Sequence, residues 1–348
     1  MSIRVDAMNV ETVKGVEDRC DAFVRRQPDA KLCHLTAWSE MLTRKLGYEC
    51  HYLALRDGEE VHGILPLTHV RSRLFGNRLI SHGFSNYGGP LVRDETALQN
   101  LFERAVALAE EVGCASIEFR NTRAMPYELP EREHKISMHL RLDRDPETLW
   151  KGFDAKVRNQ VRKAEKSGLQ ALDGQREFLD DFYHLYSLRM RELGTPCYSR
   201  RVMEAILDSF PDNTRVFVVR QDGKALGAAL IFWFNGLVEI PWASTLTEYN
   251  RLCPNNLLYW SILRHSCLVG ADWFDFGRCT EGGGTYQFKK QWGSQPVPLH
   301  YQYWFRPGSD TTPANPDDPR YRRKIELWKK LPLWLTRWAG PIISRGLC

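Results

Sequence analysis

The residues best suited to chemistry are gathered near the C-terminal end of the sequence, between Asp275 and Gly293. A fixed cation stabilises charge that develops on an oxygen in a transition state, and it equally suits a phosphate-bearing substrate. Lys289, in the segment YQFKKQWG (286–293), is the strongest candidate for such a cation; the plainer reading is one more solvated lysine beside Lys290. Asp275 and Arg278 close an expected strand just before Glu281 and three consecutive glycines. Strand ends and glycine-rich loops are where open sheets bind ligands. An ion pair fixing the loop is the alternative. The three glycines match no P-loop or dinucleotide fingerprint.

Other candidates lie upstream. Arg158 and Arg162, four apart in a basic run of helical character, share one face and could grip a phosphate with their forked donors; a solvated face is the alternative. Asn86 and Tyr87 precede Gly88-Gly89-Pro90 and offer a hydrogen bond and a flat contact surface, although turn chemistry alone explains that composition. Trp242, Ser244 and Tyr249 flank an expected strand that could line a substrate site, with core packing as the rival reading, and Asn256 closes the loop between that strand and the next helix. The ten histidines form no pattern with a serine or cysteine nucleophile, and His265 reads as structural. Nine scattered cysteines without a C-x-x-C pair read as free thiols, mostly buried, and no metal site is expected.

These residues must be positioned by a repeated framework. An Asp-Gly turn between two apolar runs occurs at Asp57-Gly58 and again at Asp222-Gly223, the sequence signal of a hairpin. Farther on, VGCASIEFR (112–120) matches VGADWFDFGR (269–278), each the end of a helix at glycine followed by a strand. The helices expected before them run over 95–112 and 255–269, and further helices over 147–167 and 177–193. Two matches in one order and at nearly one offset argue for duplication. The expected fold is α/β, a tandem duplication with a mixed sheet and covering helices in each copy. The expected domains are 1–145, 146–307 (the catalytic candidate) and 308–348, a Pro/Asp-rich linker with a basic tail.

The order of elements and several segments resemble the FemAB family, tandem proteins of the GNAT-like N-acyltransferase fold. The carrying segments are NYGGP (86–90), RNQVRKAEKSG (158–168), PNNLLYW (254–260), FGR (276–278) and YQFKKQWG (286–293). The nearest likeness is to the branch associated with exosortase (PEP-CTERM) and exopolysaccharide systems. The resemblance implies transfer of an acyl or aminoacyl group to a carbohydrate-linked or lipid-linked acceptor in exopolysaccharide or envelope synthesis. It also implies a functional lysine at Lys289. No tightly bound cofactor is implied; the donor, aminoacyl-tRNA or acyl-coenzyme A, would be a co-substrate. The sequence departs from coenzyme A-dependent members at RLCPNN (251–256), where both pyrophosphate-loop glycines are replaced. The long charged helical hairpin of some cell-wall members, a feature tied to tRNA, is also missing.

Charge is unevenly placed. The net charge is +5, yet 320–348 alone holds eight Lys/Arg and one Glu, so a nucleic-acid-binding surface over the whole protein, DNA included, is not expected. That tail mixes Trp and Leu with cations, a composition suited to an anionic membrane surface through 320–345, or to a helix packed on the protein. No apolar run is long enough to span a bilayer and the start lacks a signal-peptide pattern, giving a cytoplasmic expectation, peripheral on the inner membrane. The leading expectation is an acyl- or aminoacyltransferase with the acceptor's phosphates near Arg158, Arg162 and Lys289. The alternatives are an acyl-coenzyme A-dependent N-acyltransferase on an amino sugar, and a non-catalytic membrane-docked adaptor.

Overall fold

The computed structural model describes residues 9–73, 75–132, 136–309 and 319–347, so most of the expected linker (310–318) lies outside the described residues. In the first unit the chain runs through β1 (Asn9–Val13), α1 (Asp18–Arg26), α2 (Thr36–Leu46), β2 (Glu49–Asp57), β3 (Glu60–Ser72), β4 (Gly76–Ser81), β5 (Leu91–Val92), α3 (Glu95–Glu111), β6 (Ser116–Asn121) and β7 (Glu131–Arg132). The second unit holds β8 (Ile136–Arg141), α4 (Pro146–Gly152), α5 (Ala155–Lys166), β9 (Gln170–Gly174), α6 (Leu179–Leu193), α7 (Arg200–Ser209), β10 (Thr214–Gln221), β11 (Lys224–Phe234), β12 (Leu237–Thr245), α8 (Pro254–Leu268), β13 (Trp273–Cys279), α9 (Gly284–Lys290) and β14 (Gln295–Pro298). Then follow β15 (His300–Phe305), α10 (Pro319–Lys330) and α11 (Leu333–Ser344).

The duplication is visible in the ladders. Each Asp-Gly turn joins an antiparallel pair, β2 with β3 and β10 with β11, and both pairs shift register just before the turn, at Leu55/Arg56 and Val219/Arg220. Each copy also has one parallel pair, β4 with β6 and β12 with β13. The helix between those strands ends alike in both copies. Gly113 and Gly270 take left-handed conformations (φ 71° and 75°), and the next amides, of Cys114 and Ala271, reach back to Ala109 O and Ser266 O at 2.7 and 3.0 Å. This glycine-ended motif satisfies carbonyls that a helix end would otherwise leave open.

The boundaries 1–145, 146–307 and 308–348 need correction. The first unit ends at Glu133 and takes back Pro298–Ala314 and Gly346–Cys348; the second comprises His134–Val297 and Asn315–Arg345. Hydrogen bonding sets this division. β8 pairs antiparallel with β13 (Arg141↔Trp273, Ser137↔Arg278), whereas β15 pairs along the whole of β6 (Tyr301↔Arg120). The strand after each repeat therefore completes the other unit's sheet, a swap invisible to local pattern. The tail is no separate module either, since Ser344 Oγ donates to Cys197 O in the second unit at 3.0 Å. The helix expected over 147–167 breaks at Phe153, which is buried and packs edge-on to Trp260 and Trp292 with centroids 6.0 and 5.2 Å away.

Two buried histidines brace the first unit. His34 Nδ1 accepts the Lys31 amide at 2.9 Å, which leaves Nε2–H for the Gly89 carbonyl at 3.0 Å. His82 lies between the hydroxyls of Ser39 and Thr68 at 3.1 and 3.0 Å. Burial pushes His34 down to about 4 and His82 down to about 3, the first aided by Lys31 and the second by His34 and Arg120. The unfolded chain binds these protons near pH 6.5. Stability is therefore full above that value and falls as pH drops toward the folded values, by up to about 2 kcal/mol per histidine at pH 5. Denaturant titrations at pH 7.5 and 5 should show the loss, and His82→Gln should shrink it; equal stability at both pH values would contradict this picture.

Candidate active site

The second sheet opens in its middle. β12 and β13 are parallel and pair at Leu237↔Trp273, Val238↔Phe274 and Glu239↔Asp275, with no further pair among the described residues although both strands continue. Strands that separate leave main-chain groups needing other partners. On its other edge β13 follows β8 with a register shift between Asp275 and Arg278. Gly277 sits in that shift with φ 76°, and a Cβ there would lie 3.2 Å from the Ile240 carbonyl of β12. Only glycine takes this conformation without strain, and bulges of this kind re-aim groups beside functional sites.

Side chains satisfy what the opening exposes. Lys289, on α9, donates from Nζ to Gly277 O at 2.6 Å and to Arg278 O at 3.0 Å. Asp275 Oδ1 accepts the Gly277 amide at 2.7 Å and the Ser137 hydroxyl of β8, and His139 Nε2 lies 3.6 Å from the same oxygen. Lys289 is 3% exposed and Asp275 is 1% exposed, so neither is a solvated surface charge. Burial holds the Lys289 ammonium below the ordinary lysine value; Cys279 and Asp275 oppose that shift and Arg278 adds to it. Hydrogen bonds to charged groups contribute about 1.5–3 kcal/mol each, enough for two to offset much of the several kcal/mol of desolvation. An ammonium has three N–H groups. Among the described residues two are engaged, leaving one for an incoming acceptor oxygen.

Aromatic packing fixes the lysine's helix. Tyr259 of α8 stacks on Phe276 of β13 with centroids 5.5 Å apart, and Phe288 meets Tyr259 edge-on at 5.1 Å. Trp292, just past α9, is 1% exposed and packs against Phe153 and Phe288. These ring contacts seat α9, and Ser294 Oγ donates to Lys289 O at 2.9 Å, so the lysine's main chain is held beside the β13 bulge.

The structure brings Asp275, Lys289 and the Arg278 carbonyl together, while the Arg278 side chain is exposed. It does not join the α5 arginines to them: no hydrogen bond or ion pair links Arg158 or Arg162 to Lys289 among the described residues. Arg162 lies over the Trp150 ring at 5.7 Å, and the buried Nε of Arg158 has no hydrogen-bond partner among the described residues. Asn256 is 6% exposed and donates to Gln160 at 3.1 Å, tying α8 to α5. Tyr249 receives Lys224, Nζ to hydroxyl, at 2.9 Å. Cys253 takes the left-handed turn (φ 59°) ahead of α8, a conformation that the absent glycines would have adopted freely. Sequence reasoning missed Gly277, Ser137 and His139. The last two come from a strand that had been counted with the other copy.

The first unit holds a cavity of about 340 Å³ lined by residues including His34, Tyr87, Gly89, Arg120 and Asn121. Tyr87 is 1% exposed with Lys31 Nζ 5.5 Å from its ring centre, and the Asn86 carbonyl accepts the Tyr301 hydroxyl at 2.7 Å. Asn121 Oδ1 is buried there without a partner among the described residues. Glu49, His51 and His69 also come together in this unit, but Arg71 already contacts the Glu49 carboxylate at 2.9 Å. The eight described cysteines are free thiols, six of them buried.

Two mixed sheets, each with a parallel pair and covering helices, define a tandem GNAT-like fold, and the second half carries the buried lysine. Residues 151–290 match the acetyltransferase (GNAT) domain model. The lipid II:glycine glycyltransferase of Staphylococcus haemolyticus is 24% identical over 232 residues, 59% of this chain and 54% of that protein. Its counterpart from Staphylococcus saprophyticus is 25% identical over 242 residues, 62% of this chain and 57% of that protein. The chain thus spans little more than half the length of these curated relatives. In fold it is similar to FemX, with TM-score 0.64 and 16% identity over 84% of this chain and 97% of that one. It is also similar to a tandem GNAT protein of the clavulanic acid pathway, with TM-score 0.53 and 14% identity over 88% and 100% of the two chains. These likenesses support the resemblance to the FemAB family.

Replacing Lys289 by Met keeps an apolar stem and removes the donor to two carbonyls, for an expected loss of about 2–4 kcal/mol. Burial holds the folded lysine below its ordinary value, so the unfolded chain keeps this proton over a wider range. Relative to Lys289→Met, the wild type should therefore gain stability as pH rises through that window. Denaturant titrations of both proteins at pH 7 and 10 check it; a difference independent of pH would mean an unshifted lysine.

Proposed function

We propose that this chain is an acyl- or aminoacyltransferase acting on a carbohydrate-linked or lipid-linked acceptor of envelope or exopolysaccharide synthesis. The observation that carries the reading is the buried Lys289 ammonium at the opening of β12 from β13, two of its three donors fixed among the described residues. As the acceptor amine attacks the donor's acyl carbonyl, the C–N bond forms and negative charge collects on the carbonyl oxygen. The Lys289 N–H, already desolvated and held, stabilises that charge without reorganising. The intermediate then collapses with departure of the donor's leaving group, and the amine proton is lost to solvent or a base. Asp275 touches the Gly277 amide and the Ser137 hydroxyl, so it is a positioning residue that holds the bulge in shape.

The names of the glycyltransferase relatives favour an aminoacyl group and a lipid-linked acceptor. The donor would be a co-substrate, aminoacyl-tRNA or acyl-coenzyme A, with no tightly bound cofactor. The unpartnered Arg158 Nε and the nearby Arg162 suit a phosphate of either substrate. The exosortase-associated exopolysaccharide setting and a location at the inner face of the membrane belong to the same reading. Mass spectrometry of envelope saccharides and lipid-linked intermediates, from cells with and without the protein, tests it. One acyl or aminoacyl mass should be missing without the protein and should stay missing with Lys289→Met; identical spectra would overturn the proposal.

A further inference from the structure

The last helix is built inside out. Its small residues Thr336, Gly340 and Ser344 are buried. Ser344 Oγ donates to Cys197 O at 3.0 Å, the Cys197 thiol faces Thr336 O at 3.7 Å, and a Cβ on Gly340 would stand 2.9 Å from Cys197 Sγ and 3.0 Å from its amide nitrogen. The α11 main chain is therefore pressed against the second unit by residues chosen for smallness. Its large apolar side chains go the other way. Trp334, Trp338 and Ile342 are 70%, 67% and 65% exposed. Spaced by four, they share one face. A helix covering a globular core has the opposite arrangement.

Charge placement sharpens the point. Arg337, the one charged residue of α11, turns toward the protein: Nε donates to Ser187 Oγ at 2.8 Å, Nη2 lies 3.0 Å from His184 Nδ1, and the guanidinium covers the Tyr183 ring at 5.7 Å. The exposed face of α11 is left wholly apolar. Just before it, α10 exposes Arg322, Arg323, Lys324, Lys329 and Lys330, together with Leu327 at 65%. Glu326 is the sole acid over 322–347 and is paired with Lys329 at 2.7 Å. Gly194, left-handed at the end of α6, gives Ile325 the room that seats α10.

A tryptophan-rich apolar face next to a crowd of cations fits a layered partner, apolar beneath and anionic above. Tryptophan suits that boundary because its ring is apolar and its N–H is polar. A two-fold pairing with a second copy through this face would instead bring like charges together. We propose that α10 and α11 dock the protein on an anionic lipid bilayer, with Trp334, Trp338 and Ile342 entering the headgroup boundary and the α10 cations facing anionic headgroups. Docking would hold the enzyme where a lipid-linked acceptor resides, so its purpose rests on the proposed function while its physics does not.

Co-sedimentation of the purified full chain with vesicles tests this without any substrate. Binding is expected to vesicles of phosphatidylcholine with phosphatidylglycerol and to be at least about tenfold weaker to phosphatidylcholine alone. Trp334→Ser/Trp338→Ser should lower partitioning to the anionic vesicles by about 20-fold or more while the thermal midpoint stays within about 2 °C. Lys289→Met should bind vesicles like the wild type, so failed docking and failed transfer are told apart. No binding to anionic vesicles, or equal binding by the tryptophan variant, would overturn the proposal. So would a dimer at working concentration that the tryptophan substitutions turn into a monomer.

Discussion

Everything at the candidate site follows from the parting of β12 and β13 after Glu239 and Asp275. A parallel pair that stops pairing inside a sheet leaves amides and carbonyls in a place water reaches poorly. Here a bulge at Gly277 turns two carbonyls toward α9, and one lysine accepts the task of satisfying both. The same bonds that close the defect also hold an ammonium in a buried position. Structure and chemistry are one arrangement, and the packing of Tyr259, Phe288 and Trp292 on one another holds the helix that carries Lys289.

The duplicated copies differ at the position that matters. Where the second unit has Asp275 and Gly277, the first has Glu118 and Arg120. Arg120 cannot take glycine's left-handed turn cheaply, and β6 runs beside β15 with no register shift. Arg120 donates to Glu118 at 2.8 Å and to the Ser85 carbonyl at 2.6 Å, so in the copy without the bulge this residue braces the loop beside the cavity. One fold thus yields a lysine-bearing gap in one unit and a braced polar cavity in the other.

Much of this was legible before any coordinates. The Asp-Gly hairpins and the glycine-ended helices at Gly113 and Gly270 are local signals, and local backbone chemistry decides them. Lys289 and Asp275 stand out in the sequence by residue type and setting, but their burial beside one bulge depends on the fold. The exchange of β8 and β15 was not legible, because strand pairing between segments far apart leaves no mark on either alone. Ser137 and His139 were hidden for that reason. The helix expected over 147–167 failed at Phe153, where burial against Trp260 and Trp292 overrode propensity. Asn256 donates to Gln160, and which neighbour it meets depends on how α8 packs against α5, which no rule of spacing shows.

The central claim is that the ammonium fixed at the β13 bulge acts on the transition state. Steady-state transfer by the purified full chain, with a lipid-linked amine acceptor and either aminoacyl-tRNA or acyl-coenzyme A, tests it most directly when wild type and Lys289→Met are compared. The account predicts a kcat at least about 100-fold lower for the folded variant with KM changed only a few-fold. A folded Lys289→Met protein with undiminished kcat would contradict it.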